Sequence, residues 1–279
     1  MNPMMSIWLG LAILVGQWQW SVDHQIKAVT YNIRYHEPND GKNAWPKRKG
    51  RVAELLLAQQ ADIIGLQEAL DGQVVYCDSV LNAFGRVGVG RDDGKQKGEF
   101  SPLYYRQSRF DLADHGTFWL SETPEVPGSK SWDAAITRIC TYAKLLDKQS
   151  GKPVWVFNTH FDHKGKVARE ESAKLLVRKA HEMAKEDAVL LIGDFNFPPE
   201  SDPYGTMVAE FEDSFSCYTD GEKTTSHGFA VGENEGNRID HIFHSAKLAC
   251  LYYRILDDND GENYPSDHLP VVSVLMYRD

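Results

Sequence analysis

Six times along this chain a short apolar run of strand type ends on, or is followed or preceded by, a side chain able to hold a cation or a phosphate. Asn32 closes a run at 26–33, Glu68 follows 63–67, His160 ends 154–160, and Asp194 with Asn196 follows 189–193. Asp240 opens the polar end of 239–244, and Asp267-His268 stand ahead of 271–276. Each alone has an ordinary reading as a turn residue or helix cap. Together they constrain the fold, because the strand ends of a layered α/β core converge on one rim. Further strand-like runs lie at 86–90, 102–105 and 137–146. Helical spacing over 45–59 groups Val52, Leu55, Leu56 and Gln59. Over 167–185 it groups Ala168, Leu175, Leu176, Ala180 and Met183.

These elements lack strict βαβ alternation in the middle of the chain. The expected architecture is a four-layer α/β sandwich: two mixed sheets packed face to face with helices outside. A doubly wound parallel sheet is the competitor. No Gly-x-Gly-x-x-Gly follows the first strand, and 104–146 reads as consecutive hairpins, which disfavours it. With 279 residues and neither a repeat nor a long linker, one catalytic domain is expected over 22–279.

The first 21 residues read differently. Residues 7–16 are uninterruptedly apolar and the first charged side chain is Asp23. That run is the length of a signal peptide and short for a bilayer span. The reading is an export signal over 1–21 and a secreted or periplasmic protein, although Lys, Arg and an A-x-A site are missing from it. An uncleaved interfacial anchor or a different start codon is the alternative. No other run is long enough to suggest a transmembrane segment, and a monomer is expected.

Thirty Lys plus Arg against forty Asp plus Glu give a net charge of −10. That sign disfavours a broad phosphate-neutralising surface, and with it extended duplex DNA binding. A compact site carrying its own divalent cation can still accept a phosphate, because the metal inverts the local field. Cys77, Cys140, Cys217 and Cys250 form no C-x-x-C pair, so neither a zinc site nor a disulfide scaffold is read from them. Cys140 reads as a small buried hydrophobe.

Hard carboxylates with an Asn amide suit Mg²⁺ or Mn²⁺. Histidines paired with carboxylates suit a phosphoryl group gaining charge, and an Asp beside an Asn suits orienting and deprotonating water. The set therefore reads as metal-assisted hydrolysis of a phosphoester substrate.

TYNIR (30–34), LQE (66–68), NTH (158–160), GDFN (193–196), RIDHIF (238–243) and SDHLPV (266–271) occur in the order of, and resemble, the motifs of the endonuclease/exonuclease/phosphatase superfamily, whose fold is that of deoxyribonuclease I. The resemblance spans 26–276. It implies Glu68 as the main metal ligand, with Asn32 and Asp267 near the same ion. It implies Asp194 as the residue that activates water, Asn196 as its orienter or a phosphate contact, and His160 and His268 as phosphate contacts, His268 being oriented by Asp240. Arg138 resembles a basic residue by which some members touch phosphate; a surface strand arginine is its alternative.

Arg34 stands where abasic-site nucleases place an acidic residue. The inositol 5-phosphatase Pro-Ala-Trp-x-Asp-Arg pattern is replaced by Asn237-Arg238-Ile239-Asp240-His241. Residues 118–124 with 128–132 resemble a bacterial, often exported, subgroup. A phosphodiesterase or phosphatase is expected, with a single-strand-directed nuclease or a catalytically silent binding module as alternatives. His163, Phe118 and Trp119 are the specificity candidates. Stacking of the aromatics on a base or sugar is one reading, and a core place for Trp119 is the favoured one.

Overall fold

The computed structural model of the chain describes residues 24–226, 228–232 and 236–278; the expected export signal lies outside them. In chain order the strands are β1 (Gln25–Asn32), β2 (Ile63–Gln67), β3 (Phe84–Val87), β4 (Leu103–Arg106), β5 (Phe110–Trp119), β6 (Ile139–Asp147), β7 (Pro153–His160), β8 (Ala188–Asp194), β9 (Glu212–Asp213), β10 (Asp240–His244), β11 (Leu248–Ile255) and β12 (Val271–Tyr277). The helices are α1 (Trp45–Ala58), α2 (Asp71–Val80), α3 (Lys166–Ala184) and α4 (Asp202–Val208).

Two mixed sheets form, ordered β11-β12-β1-β2-β4-β3 and β5-β6-β7-β8-β10-β9. Strand alternation divides the apolar residues among three clusters, as a four-layer sandwich requires. Val154 and Val156 of β7 face inward and meet Ala28, Ile63, Ile192 and Leu275 between the sheets. Trp155 and Phe157, one residue out of phase, pack under α3 with Leu175 and Leu176. Val29 and Tyr31 of β1 likewise meet Val52 and Leu56 of α1.

Pairing register brings the functional strand ends to one rim. β1 runs parallel to β2, opposing Asn32 to Gln67. β7 runs parallel to β8, opposing His160 to Asp194. β10 runs antiparallel to β8, opposing Asp240 to Asp194, and β12 runs antiparallel to β1. The C-terminal ends of four strands thus meet the N-terminal ends of two.

The expected strand at 86–90 is a four-residue edge strand starting two residues earlier. Expected consecutive hairpins over 104–146 are corrected in part. β5 and β6 form a hairpin, but β4 and β5 belong to different sheets. Helix α2 and strand β11 carry too weak an apolar period to be found by spacing.

Candidate active site

Asp194 is the centre of the rim. Its Oδ2 lies 3.3 Å from His160 Nε2 and 3.8 Å from His268 Nε2, and it accepts a 3.0 Å hydrogen bond from Asn32 Nδ2. The same amide donates to Glu68 Oε1 at 3.0 Å, so Asn32 bridges two carboxylates carried by different sheets. Its Oδ1 accepts from the Arg34 backbone N–H at 3.0 Å. As oriented, Asn32 therefore presents N–H groups, and not its oxygen, to the carboxylates; an amide rotation would exchange the two. The other Glu68 oxygen accepts from the Tyr35 N–H at 3.1 Å.

His268 Nδ1 lies 2.8 Å from Asp240 Oδ2. Asp240 is fully buried, and the Thr225 hydroxyl accepts its backbone N–H at 3.1 Å. Burial opposes a charge on His268, but Asp240 and then Asp194 outweigh it and hold the imidazole well above its ordinary value. His160 goes the other way: burial, reinforced by Arg138, holds it well below, so its ring is neutral. Burial, with Asp240 alongside, pushes the Asp194 carboxyl up to about 7. The two imidazoles flanking one carboxylate thus differ in charge, which divides their chemistry.

Asp194, Asp240 and His268 bring ligand-type atoms within 4.8 Å of one another. Asp240 and His268 are already joined by a short hydrogen bond, so that group fits an oriented imidazole better than an open ligand set. Glu68 faces the cavity and offers oxygens to a hard cation. Asp267 stands beside it, 3.7 Å from Arg34 Nη1, and burial raises its carboxyl above the usual range. The donor set around Glu68 is oxygen-rich, without a thiolate, and fits Mg²⁺ or Mn²⁺.

The backbone is bent for these placements. Arg34, Glu68 and Asn196 all have positive φ, of 56°, 62° and 51°, an arrangement that costs free energy and is common at functional sites. Gly193 has φ 153°, and a Cβ there would stand 2.2 Å from the Thr159 carbonyl oxygen. The glycine lets β8 approach β7 closely just before Asp194. Asn196 is oriented by donating from Nδ2 to the Phe161 carbonyl at 3.0 Å, and its backbone N–H donates to Asp194 Oδ1 at 3.0 Å.

Arg138 is 5% exposed, so the alternative of a surface strand arginine is excluded. It lines the same cavity, of about 450 Å³, that holds Asp194 and His160. Its Nη2 donates to His163 Nδ1 at 3.1 Å, while Nε and Nη1 are buried without a hydrogen-bond partner. Those two nitrogens lie 3.9 Å from the carboxylates of Asp162 and Glu99 respectively, which balance the guanidinium charge without bonding it tightly. Trp119 takes the core place favoured for it, and Phe118 is buried as well: Trp119 Nε1 donates to the Arg91 carbonyl at 2.6 Å, so the stacking alternative falls away. The structure also brings in residues not picked out from the sequence. Glu99 lines the cavity, with Oε2 2.6 Å from Arg91 Nη1 and 4.0 Å from His160 Nδ1. Asp162 accepts from the backbone N–H groups of Ala135, Ile136, Lys164 and Gly165, fixing the loops that carry Ile136 and His163.

The profile of the Endonuclease/Exonuclease/phosphatase family matches residues 29–268. A Bacteroides vulgatus member of known structure is 36% identical, with a TM-score of 0.87, over 91% of this chain and 99% of that one. The Bacteroides thetaiotaomicron mannosyl-6-phosphatase is also 36% identical, with a TM-score of 0.86, over 90% and 100%. An uncharacterized protein of Acanthamoeba polyphaga mimivirus is 28% identical over 61% of this chain but only 30% of its own length. The fold is that of the structural neighbours, and members of the family are phosphoester hydrolases. With the matched region running from β1 to His268, the chain belongs to the endonuclease/exonuclease/phosphatase family.

Proposed function

We propose that this chain is a divalent-metal-dependent hydrolase of compact phosphoesters, with sugar phosphate monoesters as the favoured substrates. The observation that carries the reading is Asp194, buried between a neutral His160 and a charged His268 and tied through Asn32 to Glu68. Glu68 would hold the metal, with Asn32 and Asp267 flanking it; bound there, the ion would neutralise phosphoryl charge. Asp194 takes the proton of the attacking water, for which a carboxyl pushed up to about 7 is well matched near neutral pH. Asn196, held by Phe161 and by Asp194 itself, orients that water or the phosphate. His268, fixed by Asp240, and His160 contact the phosphoryl oxygens, and Arg138 supplies positive charge from the other wall.

The monoester preference is supported by the likeness to the mannosyl-6-phosphatase and by the cavity's walls. Among the described residues Tyr35 is the one Phe, Tyr or Trp side chain lining it, and the Arg34 guanidinium occupies one face of that ring at 4.4 Å, which limits stacking by a nucleobase. That weighs against a single-strand-directed nuclease. A catalytically silent binding module is disfavoured because every charged partner of the centre is in place. An exported, monomeric enzyme remains part of this reading. The test is phosphate release from mannose 6-phosphate, and p-nitrophenol release from bis-p-nitrophenyl phosphate, each with Mg²⁺ and with EDTA. Metal-dependent turnover of the monoester supports the reading; turnover of neither, or turnover indifferent to EDTA, contradicts it.

A further inference from the structure

Glu99 is a cavity carboxylate that the hydrolytic roles above leave unused. It is carried by the loop from Gly90 to Phe100, and that loop is built to hold one shape. The Arg91 N–H donates to the Glu99 carbonyl and the Asp92 N–H to that of Lys97, at 3.1 and 3.0 Å. Asp93 Oδ1 accepts from the N–H groups of Lys95 and Lys97. Trp119 pins the loop from outside by its bond to the Arg91 carbonyl. Gly94 lies so close to Trp119 and Pro127 that a Cβ there would stand 3.3 and 3.2 Å from them. The aromatic and Pro-Gly features at 118–128 thus brace the loop that carries Arg91 and Glu99, which accounts for a stretch whose role the sequence left open.

The Arg91 bond fixes Glu99 Oε2, while no described residue donates to Oε1. Across the His160 ring, Glu99 lies on the side away from Asp194. With the attacking water at Asp194 and the phosphoryl group on the two histidines, in-line displacement sends the leaving group away from Asp194, toward the side of the cavity that Glu99 lines. There a carboxylate acceptor stands next to guanidinium and imidazole donors, Arg138 and His163. A hydroxyl, which both donates and accepts, matches such a wall. An apolar group there would leave Glu99 Oε1 desolvated without a donor.

We propose that Glu99, held by Arg91, is the specificity-determining residue that accepts a hydrogen bond from a hydroxyl of the leaving group, selecting polyhydroxylated phosphomonoesters. This rests on the hydrolase reading above, and the test separates the two. Values of kcat/KM are measured for mannose 6-phosphate and for hydroxyl-free p-nitrophenyl phosphate, and their ratio is the readout. Glu99→Gln keeps the side-chain shape and removes the charge; Glu99→Asp keeps the charge and withdraws it by one methylene. Both variants should lower the ratio by about tenfold or more, the range for losing a charge-assisted hydrogen bond, with the loss mainly in KM. Thermal melting of each variant shows whether the loop is intact. If wild type hydrolyses neither ester, the hydrolase reading fails. If wild type hydrolyses both and an intact variant loses activity on the two substrates equally, or on neither, Glu99 acts through His160 or not at all, and the specificity proposal is overturned.

Discussion

Replacing Asn158 by Leu should loosen the two sheets immediately beneath the site. Asn158 lies on β7, one residue before the strand's last two. It reaches across to the other sheet: Nδ2 donates to the carbonyls of Leu66 and Pro102, both at 2.9 Å, and Oδ1 accepts from Gln67 Nε2 at 2.7 Å. Gly65 makes room for this crossing, since a Cβ on it would stand 2.7 Å from the Asn158 amide. Leucine conserves the approximate volume and removes all three bonds. Gln67 Nε2 keeps its bond to Thr30 Oγ1, and the Pro102 carbonyl keeps the Leu66 N–H at 3.0 Å, so the main loss is the donor to the buried Leu66 carbonyl. At roughly 1 to 3 kcal/mol for a buried group left unpaired, the cost is about 1 to 3 kcal/mol. For a domain of this size that corresponds to a fall in Tm of about 2 to 12 °C. Because Gln67 precedes Glu68 and Asn158 precedes His160 by two residues, kcat should fall as well, even at temperatures where the variant is folded. Urea unfolding followed by circular dichroism, with an unchanged slope, measures the first effect. A loss under about 1 kcal/mol would refute the reasoning, since it would mean that the bonds between the sheets are individually dispensable.

Gly193→Ala should cost at least about 2 kcal/mol and most of the activity, because the new methyl meets the Thr159 carbonyl next to Asp194; urea unfolding and a phosphate-release assay check both. Asp240→Asn and His268→Ala should be strongly non-additive in kcat, because the carboxylate acts by orienting that imidazole; a double mutant whose loss equals the product of the single losses would separate them. His241 is fully buried, accepts from Arg238 Nη1 at Nδ1 and donates from Nε2 to the Phe197 carbonyl, each at 2.9 Å. Burial and then Arg238 lower it to about 4. Between the unfolded value of about 6.5 and 4 the unfolded chain binds more protons, so stability falls as pH drops through that window, by up to about 3 kcal/mol. Urea midpoints of wild type and His241→Gln at pH 7, 5.5 and 4 should show the shallower slope in the variant.

The parts of the site legible in sequence are those that strand ends carry. An apolar run with a β period, broken by Asn32, Glu68, His160 or Asp194, announces both the strand and its rim, and parallel or antiparallel pairing then has few ways to misplace them. Glu99 and Arg91 escaped because their position depends on how a polar loop folds back, through bonds among backbone groups that leave no periodic trace. The Gly and Asp residues at 90–98 signal a turn but not its direction. Trp119 was ambiguous for a related reason: an indole can stack on a ligand or donate inward, and only the position of the Arg91 carbonyl decides. Asp162, beside His163, accepts four backbone N–H groups, yet a turn carboxylate looks the same in sequence whether or not it braces a site.

The central claim is that Asp194 activates the water, and the most direct measurement is kcat for phosphate release by Asp194→Asn at saturating Mg²⁺ and substrate, with Mg²⁺ affinity measured alongside by calorimetry. The account predicts a fall of ~10² to 10⁴ in kcat with metal affinity largely retained; a variant that keeps more than about a tenth of wild-type kcat, or that fails only because it no longer binds the ion, would contradict it.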